Sequence, residues 1–294
     1  MKILLNLTGI LLVLAIMYLI SWKKKNISVK MLVKAVIAQF LIAVILVKVP
    51  AGRYVVSKVS DAVTSVINCG QDGLSFVFGS LADSTAAAGS VFAIQVLGNI
   101  VFLSALVSFL YYIGILGFVV KWIGKAVGKL MGTSEVESFV AVANMFLGQT
   151  DSPMPVAMVA LVAAVNKLLG VCGISLQQVF SYVFAPFGFF LGLDPSEILL
   201  EGNLLGSKLV LNEFVAFQQL GGMISSMDYR TGMIFAISLC GFANFSSLGI
   251  CVSGIAVLCP EKKSTLARLV FKAMLGGVAV SLISAMTVGL VTLC

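Results

Sequence analysis

Residues 84–120 contain no aspartate, glutamate, lysine or arginine, and comparable uncharged runs occupy 3–22 and 231–260. An apolar helix of roughly 20 residues crosses the hydrocarbon core of a bilayer. In lipid, the backbone N–H and C=O groups have to be satisfied within the segment. Uncharged runs of this length therefore direct the chain to a bundle of membrane helices. Composition agrees: 60% of residues are apolar and 11% charged, against about 25% charged in a soluble domain. The 294 residues leave room for about six to eight crossings.

The net charge of +7 does not call for a nucleic-acid partner. Most of the 19 basic residues fall in three short loops: Lys23, Lys24, Lys25, Lys30 and Lys34; then Lys121, Lys125 and Lys129; then Lys262, Lys263, Arg268 and Lys272. Such loops face the cytoplasm by the positive-inside rule. With only Lys2 before the first apolar run and no small-residue cleavage site after it, that run is a retained crossing. The expected N-terminus is outside, and the expected location is the cell (plasma) membrane.

The loops order the remaining segments. Residues 3–21 cross, 31–47 return, and 51–79 form an amphipathic helix in the interface. A short outer helix follows, then a span over 96–120. An even number of crossings must separate Lys129 from Lys262. The connection at 194–197 offers Asp194 and Glu197 but no basic residue, so it makes a poor inner loop. Two crossings, 136–170 and 231–258, satisfy the count. On that reading 176–193 is a peripheral helix, 197–220 a re-entrant hairpin, and 273–293 the last span. The expectation is an all-α polytopic membrane protein with about six crossings, one interfacial helix, one complete re-entrant hairpin and a remnant of a second. It divides into 1–83, 84–152 and 153–294.

Enzymatic chemistry finds little support. There is no histidine, and the six cysteines include no CxxC pair, which leaves no catalytic triad and no zinc or redox site. Glu135 and Glu137 are two apart and diverge on a helix. Asp194-Pro195-Ser196-Glu197 reads as a helix start. No glycine loop cradles phosphate. No cofactor is expected.

Three apolar segments instead carry polar breaks: Gly148-Gln149-Thr150-Asp151-Ser152-Pro153, the run Gly206 to Glu213, and Gly241-Phe242-Ala243-Asn244-Phe245-Ser246-Ser247. Any one such cluster is explained by helix–helix packing. Three of them, each joining an amide or carboxylate to glycine or proline, point to a solute site built from interrupted helices. Glu213 and Lys208 reinforce this, because ionised groups at bilayer depth persist where they face a cavity and perform a function. Lys208 is expected to partner a nearby carboxylate.

These stretches resemble a known family. GQTDSP at the first break, GSKLVLNEFVA at the second and CGFANFSSLGI at the third are similar to the concentrative nucleoside transporters, as are FVFGSL at 76–81 and SEVESFVAVANMFLGQT at 134–150. The resemblance implies trimeric importers of nucleosides, driven by sodium or, in some bacterial members, protons. It implies that Gln149, Thr150 and Asp151 contact the nucleobase, and that Glu213, Asn244 and Ser247 hold the ribose. Asn144 and the carbonyl of Leu147 would belong to a sodium site. The chemistry suits those roles: a carboxylate accepts from both hydroxyls of a diol, and a glutamine amide matches the mixed edge of a base.

The chain departs from the family in two places. Asp151 stands where glutamate is usual. After Pro153 the sequence passes at once to VAMVALVAAVNKLLG, which resembles a later scaffold helix, so a block carrying further base contacts and sodium ligands is expected to be absent. The expected function is a cation-coupled nucleoside symporter, with a non-transporting member that binds nucleoside or assembles with full-length subunits as the alternative. Sodium and proton coupling both remain open, as does the base preference.

Overall fold

In the computed structural model, residues 1–83, 94, 98–147 and 154–293 are described. Every regular element among them is helical. Contacts divide the chain into two units, one of residues 1–48 with 149–294 and the other of 49–148.

The first unit is built on α13 (Lys263–Leu293), a 31-residue helix that begins ten residues before the expected span. Four apolar helices pack against it: α1 (Lys2–Ile20), α2 (Val29–Val47), α11 (Tyr229–Leu239) and α12 (Phe245–Leu258). Ile234, Leu239, Ala285 and Met286 are fully enclosed in that core. Lys272 ties α13 to the end of α1. Its ammonium donates to the Ile20 carbonyl at 2.9 Å and lies 3.7 Å above the Trp22 ring. A cation over an indole face at a helix C-terminus satisfies both the ring quadrupole and the orphan carbonyl.

The most extensive packing joins α8 (Leu176–Phe190) to α9 (Pro195–Val210). Both helices start on capping chemistry. The Ser175 hydroxyl accepts from Gln178 N at 3.1 Å while Gln178 Oε1 accepts from Ser175 N at 2.8 Å. At the second helix Glu197 Oε2 accepts from Asp194 N at 3.2 Å, next to Pro195. The helix start expected at 194–197 is therefore present. Inside lipid there is no hydrophobic drive between helices, so close approach through small residues has to supply the contact. Gly202 and Gly206, one turn apart on α9, provide it. A Cβ on Gly202 would meet the Ser181 carbonyl oxygen, and one on Gly206 would lie 2.9 Å from Phe180 Cβ. Gly202→Ala is expected to cost about 1–3 kcal/mol by overpacking, read as a lower melting temperature of the detergent-solubilised protein. An unchanged melting curve would mean the two helices part freely.

Two expected breaks are present. The segment 197–220 is interrupted at Leu211–Asn212, where α9 gives way to α10 (Glu213–Gly221). The segment 231–258 is interrupted at 240–244, where α11 stops and α12 (Phe245–Leu258) begins. Gly241 has φ of +100°, which a side chain would strain. The helix α7 (Met154–Leu169) also belongs to this unit. The break expected at 148–153 lies outside the described residues.

The second unit holds α3 (Pro50–Phe78), α4 (Gly98–Tyr112), α5 (Ile115–Met131) and α6 (Glu135–Leu147). The amphipathic segment 51–79 is one 29-residue helix. The span expected over 96–120 needs correction. Helix α4 ends at Tyr112, and the chain turns by 79° before α5. Gly114, with φ of +82°, makes the turn. The segment was apolar enough to look continuous, and only the left-handed backbone at that glycine interrupts it.

Among the described residues three helices are long and apolar enough to cross a bilayer unaided, Lys2–Ile20, Val29–Val47 and the one ending at Leu293, and the bent pair of α4 and α5 is a broken span or a re-entrant loop. Any further crossing among the described residues needs an interrupted helix.

Candidate functional site

The two described breaks face each other. Each restarts on an asparagine whose side chain caps the next helix. Asn212 Oδ1 accepts from Val215 N at 2.9 Å, and Asn244 Oδ1 accepts from Ser247 N at 2.8 Å. Asparagine is favoured at this position because its oxygen takes up an N–H that has no intrahelical acceptor. Both helix starts carry the positive end of a dipole, and Glu213 occupies the first position of α10.

Glu213 then bridges the breaks. Asn244 Nδ2 donates to Glu213 Oε2 at 2.8 Å. The Ser246 hydroxyl donates to the Leu211 carbonyl at 3.2 Å, so the link is doubled. The Ser247 hydroxyl lies 2.7 Å from Asn244 Oδ1 and also reaches the Phe242 carbonyl. Asn244 and Ser247 are buried, whereas Glu213 is half-buried. Three residues from two interrupted segments thus form one hydrogen-bonding cluster. A carboxylate offers about four lone-pair positions, so one amide donor does not exhaust it.

A cavity of about 270 Å³ adjoins the second break, lined by Phe242, Ala243, Ser247, Cys251, Met274 and Gly277. Its walls are mostly apolar, and Ser247 is the member of the polar cluster that lines it. Such a combination, apolar walls with a few fixed polar groups, is the usual make-up of a small-molecule site.

Lys208 lies behind the cluster and is 2% exposed. The expected carboxylate partner is replaced. The ammonium donates to the carbonyls of Ser238 at 2.9 Å and Cys240 at 3.0 Å, and to the Ser281 hydroxyl oxygen at 3.0 Å. Three donors meet three acceptors. The Ser281 hydroxyl itself donates to the Cys240 carbonyl at 2.6 Å. Carbonyls at the end of α11 have no further N–H to receive, so a cation is their natural partner. Lys208 therefore fastens the end of α9 to the break after α11 and to α13.

At the start of α11, Asp228 caps the helix by accepting from Thr231 N at 3.1 Å. Hydrogen bonding from Thr231 holds its carboxyl below the usual carboxylate range. Arg230 donates to the carbonyls of Gly192 at 3.0 Å and Leu191 at 3.2 Å, closing the end of α8.

Not every candidate residue falls within view. Gln149, Thr150 and Asp151 lie outside the described residues. Asn144 and Leu147 occupy the last turn of α6, and only their backbone is described. No cluster of three or more metal-ligating side chains occurs among the described residues. One buried acid escaped the sequence reading. Glu201 is fully enclosed on α9, one turn after Glu197.

Comparison with known proteins follows the same lines. Residues 8–81 match the family described as Na+ dependent nucleoside transporter N-terminus, and 152–289 match its C-terminus. An uncharacterized transporter of Haemophilus influenzae is 29% identical, with 99% of this chain and 98% of that protein aligned. The purine nucleoside transport protein NupG of Bacillus subtilis is 26% identical, with 99% of each chain covered. The structure of a CNTnw variant in an outward-facing state superposes with a TM-score of 0.89 at 25% identity, covering 99% of each chain. The H. influenzae alignment runs over 408 positions whereas this chain has 294 residues, so that relative carries residues without a counterpart here. This length difference agrees with an absent block. These relatives are transporters rather than enzymes. The sequence motifs, the paired helix breaks and both halves of the family match lead to one conclusion: the chain belongs to the concentrative nucleoside transporter family.

Proposed function

We propose that the protein imports nucleosides across the cell membrane as a cation-coupled symporter. The observation that carries this reading is the Glu213–Asn244–Ser247 cluster, joined by a 2.8 Å bond between two interrupted segments. A ribose diol presents two donors to a carboxylate, and Asn244 and Ser247 add neighbouring groups that both donate and accept. Gln149, Thr150 and Asp151 would recognise the base.

In this reading residues 197–220 act as a re-entrant hairpin, broken at Leu211–Asn212. Residues 1–83 form an N-terminal membrane region, 84–152 a partial gate-like region and 153–294 the transport region. The N-terminus lies outside, and the active form is a homotrimer. Sodium is the favoured coupling ion, because the matched family is described as Na+ dependent, with Asn144 and Leu147 contributing to its site.

Purified protein in liposomes tests the reading. Saturable uptake of uridine or adenosine is expected when a sodium gradient is imposed, and replacing sodium by choline at fixed pH should remove most of it. Nucleoside binding with no flux under any cation gradient would reduce the chain to a binding or assembly role.

A further inference from the structure

Glu201 is the most deeply enclosed acid among the described residues, with 0% exposure. Neither carboxyl oxygen has a hydrogen-bond partner. The polar groups that bear on it are the Ser238 side chain, from α11, and Lys208, two turns along α9 on the same face. The Ser238 hydroxyl is committed to the Phe235 carbonyl at 2.8 Å. The Lys208 ammonium uses its three donors on Ser238, Cys240 and Ser281. On α11 the Arg230 guanidinium donates to the Gly192 and Leu191 carbonyls. Helix α8 carries no acidic or basic residue, with Tyr182 exposed, and α12 carries none either, with only Cys251 as a titratable group. Glu213, on α10, acts on Lys208.

An ionised carboxylate enclosed without a donor is among the costliest arrangements a protein interior can hold. The neutral acid removes that cost. From this placement we propose that Glu201 is a proton-binding site that takes up a proton before α9 packs, holds it while enclosed, and releases it when α9 moves again. This inference rests on reading 197–220 as a mobile hairpin of a nucleoside transporter. The proton comes from water on the outer side and bonds to one carboxyl oxygen. When the arm shifts and Glu201 meets water, the O–H bond breaks, the proton passes to the inner side and the carboxylate is restored. Lys208, on the same face, then supplies the countercharge. A cavity of about 10 Å³ lined by Lys208, Ser238 and Ser281 has room for roughly one water beside the ammonium.

The test compares wild-type protein with Glu201→Gln in liposomes. Nucleoside counterflow, which needs no net proton movement, is expected in both. With sodium held equal on both sides, an added inward proton gradient should stimulate wild-type uptake several-fold, and Glu201→Gln should show no stimulation. A variant that keeps the wild-type stimulation would overturn the proposal. So would a wild type that shows counterflow but no response to the proton gradient; that result leaves the nucleoside reading intact. Absence of counterflow in the wild type would instead defeat the transport reading. Infrared difference spectroscopy then decides about Glu201 by itself. A protonated-carboxyl band that appears and disappears with pH, and is absent in Glu201→Gln, supports the site. A band that never changes, or none at all, ends it. If the glutamine variant does not fold, Glu201→Asp serves, because the band should shift in frequency.

Discussion

Glu213→Gln should remove nucleoside uptake while leaving the fold intact. Hydrogen bonds to a charged group contribute about 1.5–3 kcal/mol each, so two ribose contacts lose about 3–6 kcal/mol. That corresponds to roughly 10²–10⁴ in affinity. The amide can still accept from Asn244 Nδ2, which now bonds Glu213 Oε2 at 2.8 Å, and the position is only half-buried. Stability should therefore change little. Titration calorimetry and uptake on the same preparation separate the two effects. A nucleoside lacking its ribose hydroxyls should bind the wild type as weakly as the natural ligand binds the variant, because a site built around donors leaves its groups unpaired when they are missing. Near wild-type uptake by Glu213→Gln would remove this carboxylate from the binding site.

Lys208→Met should be the most destabilising single change outside the ligand contacts. The substitution keeps most of the side-chain volume but removes the only cation bonded to the Ser238 and Cys240 carbonyls among the described residues. Cys240 retains the hydroxyl of Ser281, whereas the Ser238 carbonyl loses a charge-assisted partner in a dry interior. The expected cost is about 3–5 kcal/mol, a large share of the roughly 5–15 kcal/mol that holds a domain folded. Thermal unfolding in detergent measures it. Lys208→Arg should recover only part, because a planar fork does not reproduce three donors arranged around one nitrogen. A methionine variant as stable as the wild type would show that α9 needs no tether to α11 and α13.

The interrupted helices were legible because their signals are local. Asn212 and Asn244 each cap the helix that follows, and Gly241 turns the chain out of the helix before the second break. A cap satisfies its own following N–H groups within three residues, so no distant partner is needed to foresee it. The turn at Gly114 was not legible. Glycine is common inside membrane helices, and the surrounding apolar run gave no reason to stop there.

Sequence alone determined the solvent of this fold and the positions of two helix breaks, which follow from hydropathy, charge and polar clusters among neighbouring residues. The grouping of Glu213, Asn244 and Ser247 came from the resemblance to a family. Tertiary structure alone decided that Lys208 bonds carbonyls 30 and 32 residues away and a hydroxyl 73 away, in place of a carboxylate. It also decided that Glu201, which reads like one more acid near a helix start, is sealed from water while Glu197 accepts bonds from Asp194 and Thr231. Burial and partner choice depend on which remote segments fold over a side chain, and that packing is not encoded in its immediate neighbours.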